Sequence, residues 1–78
     1  MPFVSVQHME RAFTGEQQQQ LIRDITDAFV RVGGEGIRPN VVVAIHEVKS
    51  GLWGHGGEAI TIEMIEARRA ARRAAAAK

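Results

Sequence analysis

The sequence predicts an α/β fold in which a single β-α-β unit is followed by a short hairpin and a C-terminal helical extension, assembling as a homo-oligomer. Three observations carry this expectation. A β-former-rich run at Phe3–Met9, an amphipathic stretch after Thr14 and a continuous valine-rich run at Val41–Ile45 follow one another in the order of a parallel crossover unit. Two parallel strands and one helix cannot enclose a core, and 78 residues bury only a modest share of their surface when folded alone. No cysteine is present to form a disulfide or a thiolate metal site, which leaves association with further copies as the source of stability.

In Phe3–Met9, Val4-Ser5-Val6 is bracketed by Phe3 and the polar pair Gln7-His8, a short strand pattern. Thr14-Gly15-Glu16-Gln17 fits a capping box, so a helix is expected to start near Gly15 or Glu16. Leu21, Ile22, Ile25, Ala28, Phe29 and Val32 then recur at helical spacing on one face. The glutamines at 17–20 fall in the first turns and read as solvated helix surface. Gly33-Gly34 supplies the left-handed stop.

After Pro39, the unbroken apolar run Val41–Ile45 suggests a strand buried on both faces, as parallel strands usually are. Gly51-Leu52-Trp53-Gly54-His55-Gly56-Gly57 reads as a loop or tight hairpin whose glycines allow close backbone approach. Ile60–Glu66 fits either strand or helix. From about Ala59 onward the Ala/Arg/Glu content favours a C-terminal helix, with fraying expected over 74–78.

Ten Lys+Arg against nine Asp+Glu give a near-neutral chain, which argues against an overall electrostatic role on nucleic acid or anionic membrane. Arg68, Arg69, Arg72 and Arg73 form a local basic stripe, read as a solvated or subunit-bridging helix surface in preference to a nucleic-acid site. No apolar run has the length of a membrane span and no secretory leader pattern is present, so a cytoplasmic location is expected. Cytosolic processing commonly removes Met1 before a small residue, and the mature chain is expected to begin at Pro2. His8, His46 and His55 match no metal-ligand spacing, and no metal is expected.

A chain starting at Pro2 presents a secondary amine. An α-amine ordinarily titrates at about 7.7–8.0, and a secondary amine somewhat higher. Apolar surroundings disfavour the ammonium form and bring the value down, producing a usable general base at cellular pH. Phe3 and Trp53 are candidate walls for such a pocket.

The leading Met-Pro, the helix opening Thr-Gly-Glu-Gln, the valine-rich strand ending in His46-Glu47 and the stretch Gly51-Leu52-Trp53-Gly54-His55-Gly56-Gly57-Glu58 together resemble the 4-oxalocrotonate tautomerase family. The resemblance runs from Pro2 to Glu58. It implies a tautomerase-like domain over residues 1–60, with 61–78 as a basic, Ala/Arg-rich helical extension. It also implies a homohexamer, with no cofactor, in which Pro2 is the general base for enol–keto isomerisation of an unsaturated 2-oxo or 2-hydroxy acid. Trp53 would occupy the aromatic position, commonly Phe, that keeps the pocket apolar.

The same resemblance implies two arginines that bind carboxylates and polarise the carbonyl. Counted from Pro2 the first position falls on Ala12, and counted from Glu16-Gln17 on Phe13, with Arg11 beside them. Counted from Glu47 the second falls on Val42, and the nearest arginine is Arg38, before the strand. One carboxylate contact is therefore expected to be lost, which favours a more apolar or monoanionic enol held by Arg11 and by Arg38 of a neighbouring subunit. His46, on the strand face of Val42 and Ala44, is a further candidate hydrogen-bond donor to substrate. Two other readings stay open: hydratase or iminium-type carbon–carbon chemistry at Pro2, and a non-catalytic oligomeric module whose basic helix contacts RNA or another acidic partner.

Overall fold

Phe3–Met9 forms strand β1 and Val42–Val48 forms β2, paired in parallel with Phe3 opposite Val42 and Met9 opposite Val48. The computed structural model describes residues 1–76. Between the strands runs helix α1, Gly15–Gly33, followed by a 3-10 turn over Glu35–Asn40. A second two-stranded sheet, β3 (Trp53–His55) and β4 (Glu58–Ile60), is antiparallel and leads into helix α2, Ile62–Ala76. The expected β-α-β unit, hairpin and C-terminal helix are all present.

The capping box at Thr14 has both of its bonds. The Gln17 amide N–H donates to Thr14 Oγ1 at 3.2 Å, and the Thr14 N–H donates to Gln17 Oε1 at 2.9 Å. Two donors of the first turn that helical bonding leaves over are thereby satisfied. At the other end Gly34 takes φ 92°, and its N–H donates to the Val30 carbonyl at 2.8 Å. Replacing Thr14 by alanine is expected to cost about 1 kcal/mol. Thermal unfolding at fixed protein concentration should then show a midpoint lowered by about 4–8 °C.

Side-chain alternation puts Val4, Val6, His8, Val43, Ile45 and Glu47 on one face of the β1–β2 sheet and Phe3, Ser5, Gln7, Val42, Ala44 and His46 on the other. The first face meets α1: Gln18 donates to Glu47 Oε1 at 2.6 Å and lies 3.2 Å from His8 Nε2. The second face is open, with Phe3 66% and Val42 41% exposed. The expectation that β2 is buried on both faces therefore fails in a single protomer, because one helix covers one side of the sheet and, among the described residues, nothing covers the other. Val32, expected on the packed stripe of α1, is 92% exposed for a related reason. A two-stranded sheet does not extend under the last turn of a helix of 19 residues. Among the described residues, the apolar side chains buried in one protomer are Met9 and Ile60.

The C-terminal helix starts at Ile62, not at Ala59. Gly56 and Gly57, at φ 55° and 86°, turn the chain so that Trp53 pairs with Ile60, and this pairing holds Glu58–Ile60 extended. Thr61 then caps α2, its hydroxyl accepting the Met64 N–H at 3.2 Å. The ambiguous segment Ile60–Glu66 is thus strand at its first residue and helix from Ile62. Of the expected fraying segment, residues 74–76 are helical and 77–78 lie outside the described residues.

Candidate active site

Parallel pairing sends the starts of β1 and β2 to one end of the sheet and their ends to the other, and this sorts the candidate residues into two groups. Pro2 is at the starting end, half-buried, its carbonyl accepting the Val42 N–H at 3.0 Å. Phe3 and Val42 face each other on the first rung, an apolar margin beside the Pro2 position. Arg38 belongs to the same end, since its carbonyl accepts the Val41 N–H at 3.3 Å just before β2.

The guanidinium of Arg38 is committed within its own chain. Its Nε donates to Glu35 Oε1 at 2.6 Å, and another nitrogen donates to Asp27 Oδ1 at 2.8 Å. The hydrogen bond to Glu35, reinforced by that to Asp27, holds Arg38 above the ordinary arginine value, and the same bond from Arg38 holds the Glu35 carboxyl below its ordinary value. Binding a substrate carboxylate would require Arg38 to leave two carboxylates of α1 and the 3-10 turn.

At the finishing end the closing residues of β1, the hairpin and the first turns of α2 enclose a cleft of about 310 Å³. Its apolar walls are Met9, Ala12, Trp53, Ile60 and Ile65, with Gln7, His8, His55 and Arg68 supplying polar groups. Three contacts hold these elements together. The Ser50 N–H donates to the Glu10 carboxylate at 2.7 Å, the Ile62 N–H donates to Ser50 Oγ at 2.9 Å, and the Gly51 N–H donates to the Ile60 carbonyl at 3.0 Å. The end of β1 is also fixed from below by His8, which is buried and meets Phe13 edge-on at 5.0 Å between ring centroids. With Nδ1–H assigned as donor to the Met9 carbonyl at 2.8 Å, Nε2 is left to accept from Gln18, whose amide also reaches Glu47.

Of the residues expected at the site, Trp53 lines this cleft and Pro2 does not. The nearest lining residue, Gln7, is five residues along β1 from Pro2, which at about 3.3 Å per residue is about 17 Å of extended chain. Arg11, in the left-handed region at φ 67°, lines an adjoining pocket of about 40 Å³ with Glu66 and Arg69, which shares Met9, Ala12 and Ile65 with the cleft. His46 is exposed, one rung across from Gln7 but outside the cleft. Arg68 and Ile65 join the cleft although the arginine-rich stretch reads, in the sequence, as a solvated stripe. The signal was present in their spacing: Ile65 and Arg68 are three apart on α2 and so share a face.

What the arrangement offers is an apolar slot with a guanidinium, an imidazole (His55) and an amide at its edge, a set that could hold a small amphipathic acid. Comparison with known proteins identifies the family. The profile of the tautomerase enzyme family matches residues 2–68. The "Probable tautomerase K2" of Dickeya dadantii (strain 3937) is 39% identical over 61 residues, covering 78% of this chain and 90% of that one. Among solved structures, DmpI from Helicobacter pylori superposes with a TM-score of 0.65 at 36% identity, over 76% of this chain and 95% of the other. A 4-oxalocrotonate tautomerase isozyme from Methylibium petroleiphilum gives 0.65 at 31% identity, over 82% and 97%. A profile match over most of the chain, together with a shared β-α-β scaffold, shows that this protein belongs to the tautomerase family of isomerases.

Proposed function

We propose that the protein catalyses cofactor-independent enol–keto isomerisation of an unsaturated 2-oxo or 2-hydroxy acid carrying one carboxylate, with the Pro2 amine as general base. The observation that carries this reading is the position of Pro2 immediately before β1, its carbonyl bonded to the Val42 N–H, on the margin of an uncovered apolar sheet face formed with Phe3 and Val42. Once Met1 is removed, the nitrogen there is a free secondary amine in apolar surroundings, which favours the neutral, proton-accepting form. The amine takes the proton of the enol hydroxyl, the oxygen lone pair forms the carbonyl, and the electrons of the carbon–carbon double bond take the proton back at carbon. Proton transfer between oxygen and carbon needs a base and an anchored acid, and no electron acceptor.

Pro2 and the Trp53 cleft occupy opposite ends of one protomer, so the reading requires Pro2 of one copy beside the cleft of another. Covering the open face of β1–β2 with a second copy, and closing such pairs into a hexamer, brings the two ends of different chains together. Val42 stands where a second guanidinium would hold a second carboxylate, and valine cannot accept that role. The substrate is therefore a monoacid, and the chemistry belongs in the cytoplasm, where Met1 is removed.

The test compares kcat/KM for ketonisation of phenylenolpyruvate and of the dicarboxylate 2-hydroxymuconate. Phenylenolpyruvate is expected to be preferred by at least about tenfold, the value of one lost charged hydrogen bond. A preference for the dicarboxylate would overturn the monoacid assignment.

A further inference from the structure

We propose that Arg68, on the C-terminal helix α2, is the residue that anchors the substrate carboxylate in the Trp53 cleft. This rests on the tautomerase reading above for the nature of the ligand and on the geometry of the cleft for its place.

The arginines offer a contrast. Arg38 is held by Glu35 and Asp27, and Arg11 opens into the adjoining pocket beside Glu66. Among the described residues, Arg68 makes no hydrogen bond or ion pair, yet it lines the same cleft as Trp53. A guanidinium at the edge of an apolar slot has its planar fork available for a carboxylate, in the charge-assisted geometry that lysine or histidine cannot copy.

Arg68 is not on a loose tail. It stands six residues after Ile62, about 9 Å along the helix axis. The start of α2 is fastened by the Thr61 cap and by the Ile62 N–H bond to Ser50, which is itself tied to Glu10 at the end of β1. Ile65, three residues before Arg68, packs into the same cleft and sets the rotation of the helix about its axis. The ligand that fits has an apolar body against Trp53, Met9 and Ile60 and a single carboxylate at Arg68.

Trp53 is the only tryptophan of the chain, so its fluorescence reports this cleft directly. The full chain is titrated with 3-phenylpropanoate, an acid it cannot isomerise, and with the neutral 3-phenylpropanamide. Saturable quenching by the acid is expected in the unaltered protein, with a Kd raised about tenfold or more in Arg68→Ala and partly restored in Arg68→Lys. The amide should bind the unaltered protein and Arg68→Ala alike, which shows the cleft intact. Arg69→Ala, which removes the same charge from the adjacent pocket, should leave acid binding unchanged.

Equal acid affinity in Arg68→Ala, an equal loss in Arg69→Ala, or no saturable acid binding at all would each overturn the assignment. Two further comparisons separate it from the functional reading. Pro2→Ala that binds the acid normally but loses turnover supports both. Arg68-dependent binding in a protein that turns over no enol supports the anchor and removes the isomerase assignment for this cleft.

Discussion

Pro2→Ala is expected to lower kcat/KM for phenylenolpyruvate by about 10²–10⁴-fold, the range for removing a positioned general base, and a form of the protein that retains Met1 is expected to show no catalysis. The two variants act on the same atom by different means. Alanine keeps an α-amine but loses the ring that fixes the direction of the nitrogen, whereas Met1 turns that nitrogen into an amide with no basic lone pair. The Pro2 carbonyl bond to the Val42 N–H survives both changes, so β1 remains paired at its first rung. Activity of the processed protein should also rise with pH through an acid limb, as the ammonium form gives way to the free amine. Steady-state rates across pH, with the N-terminus identified by mass spectrometry, check the prediction. Full activity with Met1 in place would sink the assignment of Pro2, because no other change is made to the chain.

The parts of this molecule that are legible in its sequence are those fixed by neighbours in the chain. Thr14 and Gln17 are three apart, and their reciprocal bonds require only the first turn of α1. Gly34 and the Gly56-Gly57 turn need only a backbone free to adopt positive φ. Even the parallel pairing of β1 and β2 follows from two apolar runs and the helix between them.

What the sequence did not disclose depends on distant partners. Residues 58–60 are helix-compatible in composition, and it is the pairing of Trp53 with Ile60 that makes them a strand. Arg38 looks available next to a strand until Asp27, eleven residues earlier on α1, comes within 2.8 Å of it. Arg68 looks solvated until the hairpin carries Trp53 to the same cleft. The family resemblance named Pro2 and Trp53 together, while the fold of one chain sets them at opposite ends of a strand, a separation that no pattern of spacing could reveal.

Unfolding is expected to depend on protein concentration, and Ala44→Asp is expected to dissociate the assembly and remove most of its cooperative stability. The accessible surface of the single chain is 5889 Å², against about 4,700 Å² for a folded monomer of its mass. Its radius of gyration is 16.4 Å, against about 11.5 Å for a compact chain of this length. A single chain with this much surface, and so few apolar side chains buried, has little burial to set against the conformational entropy of ordering it. Association is expected to supply the missing burial, through the open face carrying Phe3, Val42 and Ala44. Ala44 lies in the middle of that face opposite Ser5, so an aspartate there places a carboxylate in the covered layer with no lysine or arginine on the neighbouring rungs and only His46 beside it, at a cost of several kcal/mol. Sedimentation velocity should show the unaltered chain as an oligomer and the variant as a monomer. Thermal unfolding of the unaltered chain should shift upward between about 1 and 100 μM, as mass action requires of a folded state that exists only when associated. A concentration-independent midpoint, shared by a monomeric variant, would mean that the protomer is stable by itself. The proposal that Pro2 of one copy meets the cleft of another would then fall with it, since a stable monomer leaves those two groups a strand's length apart.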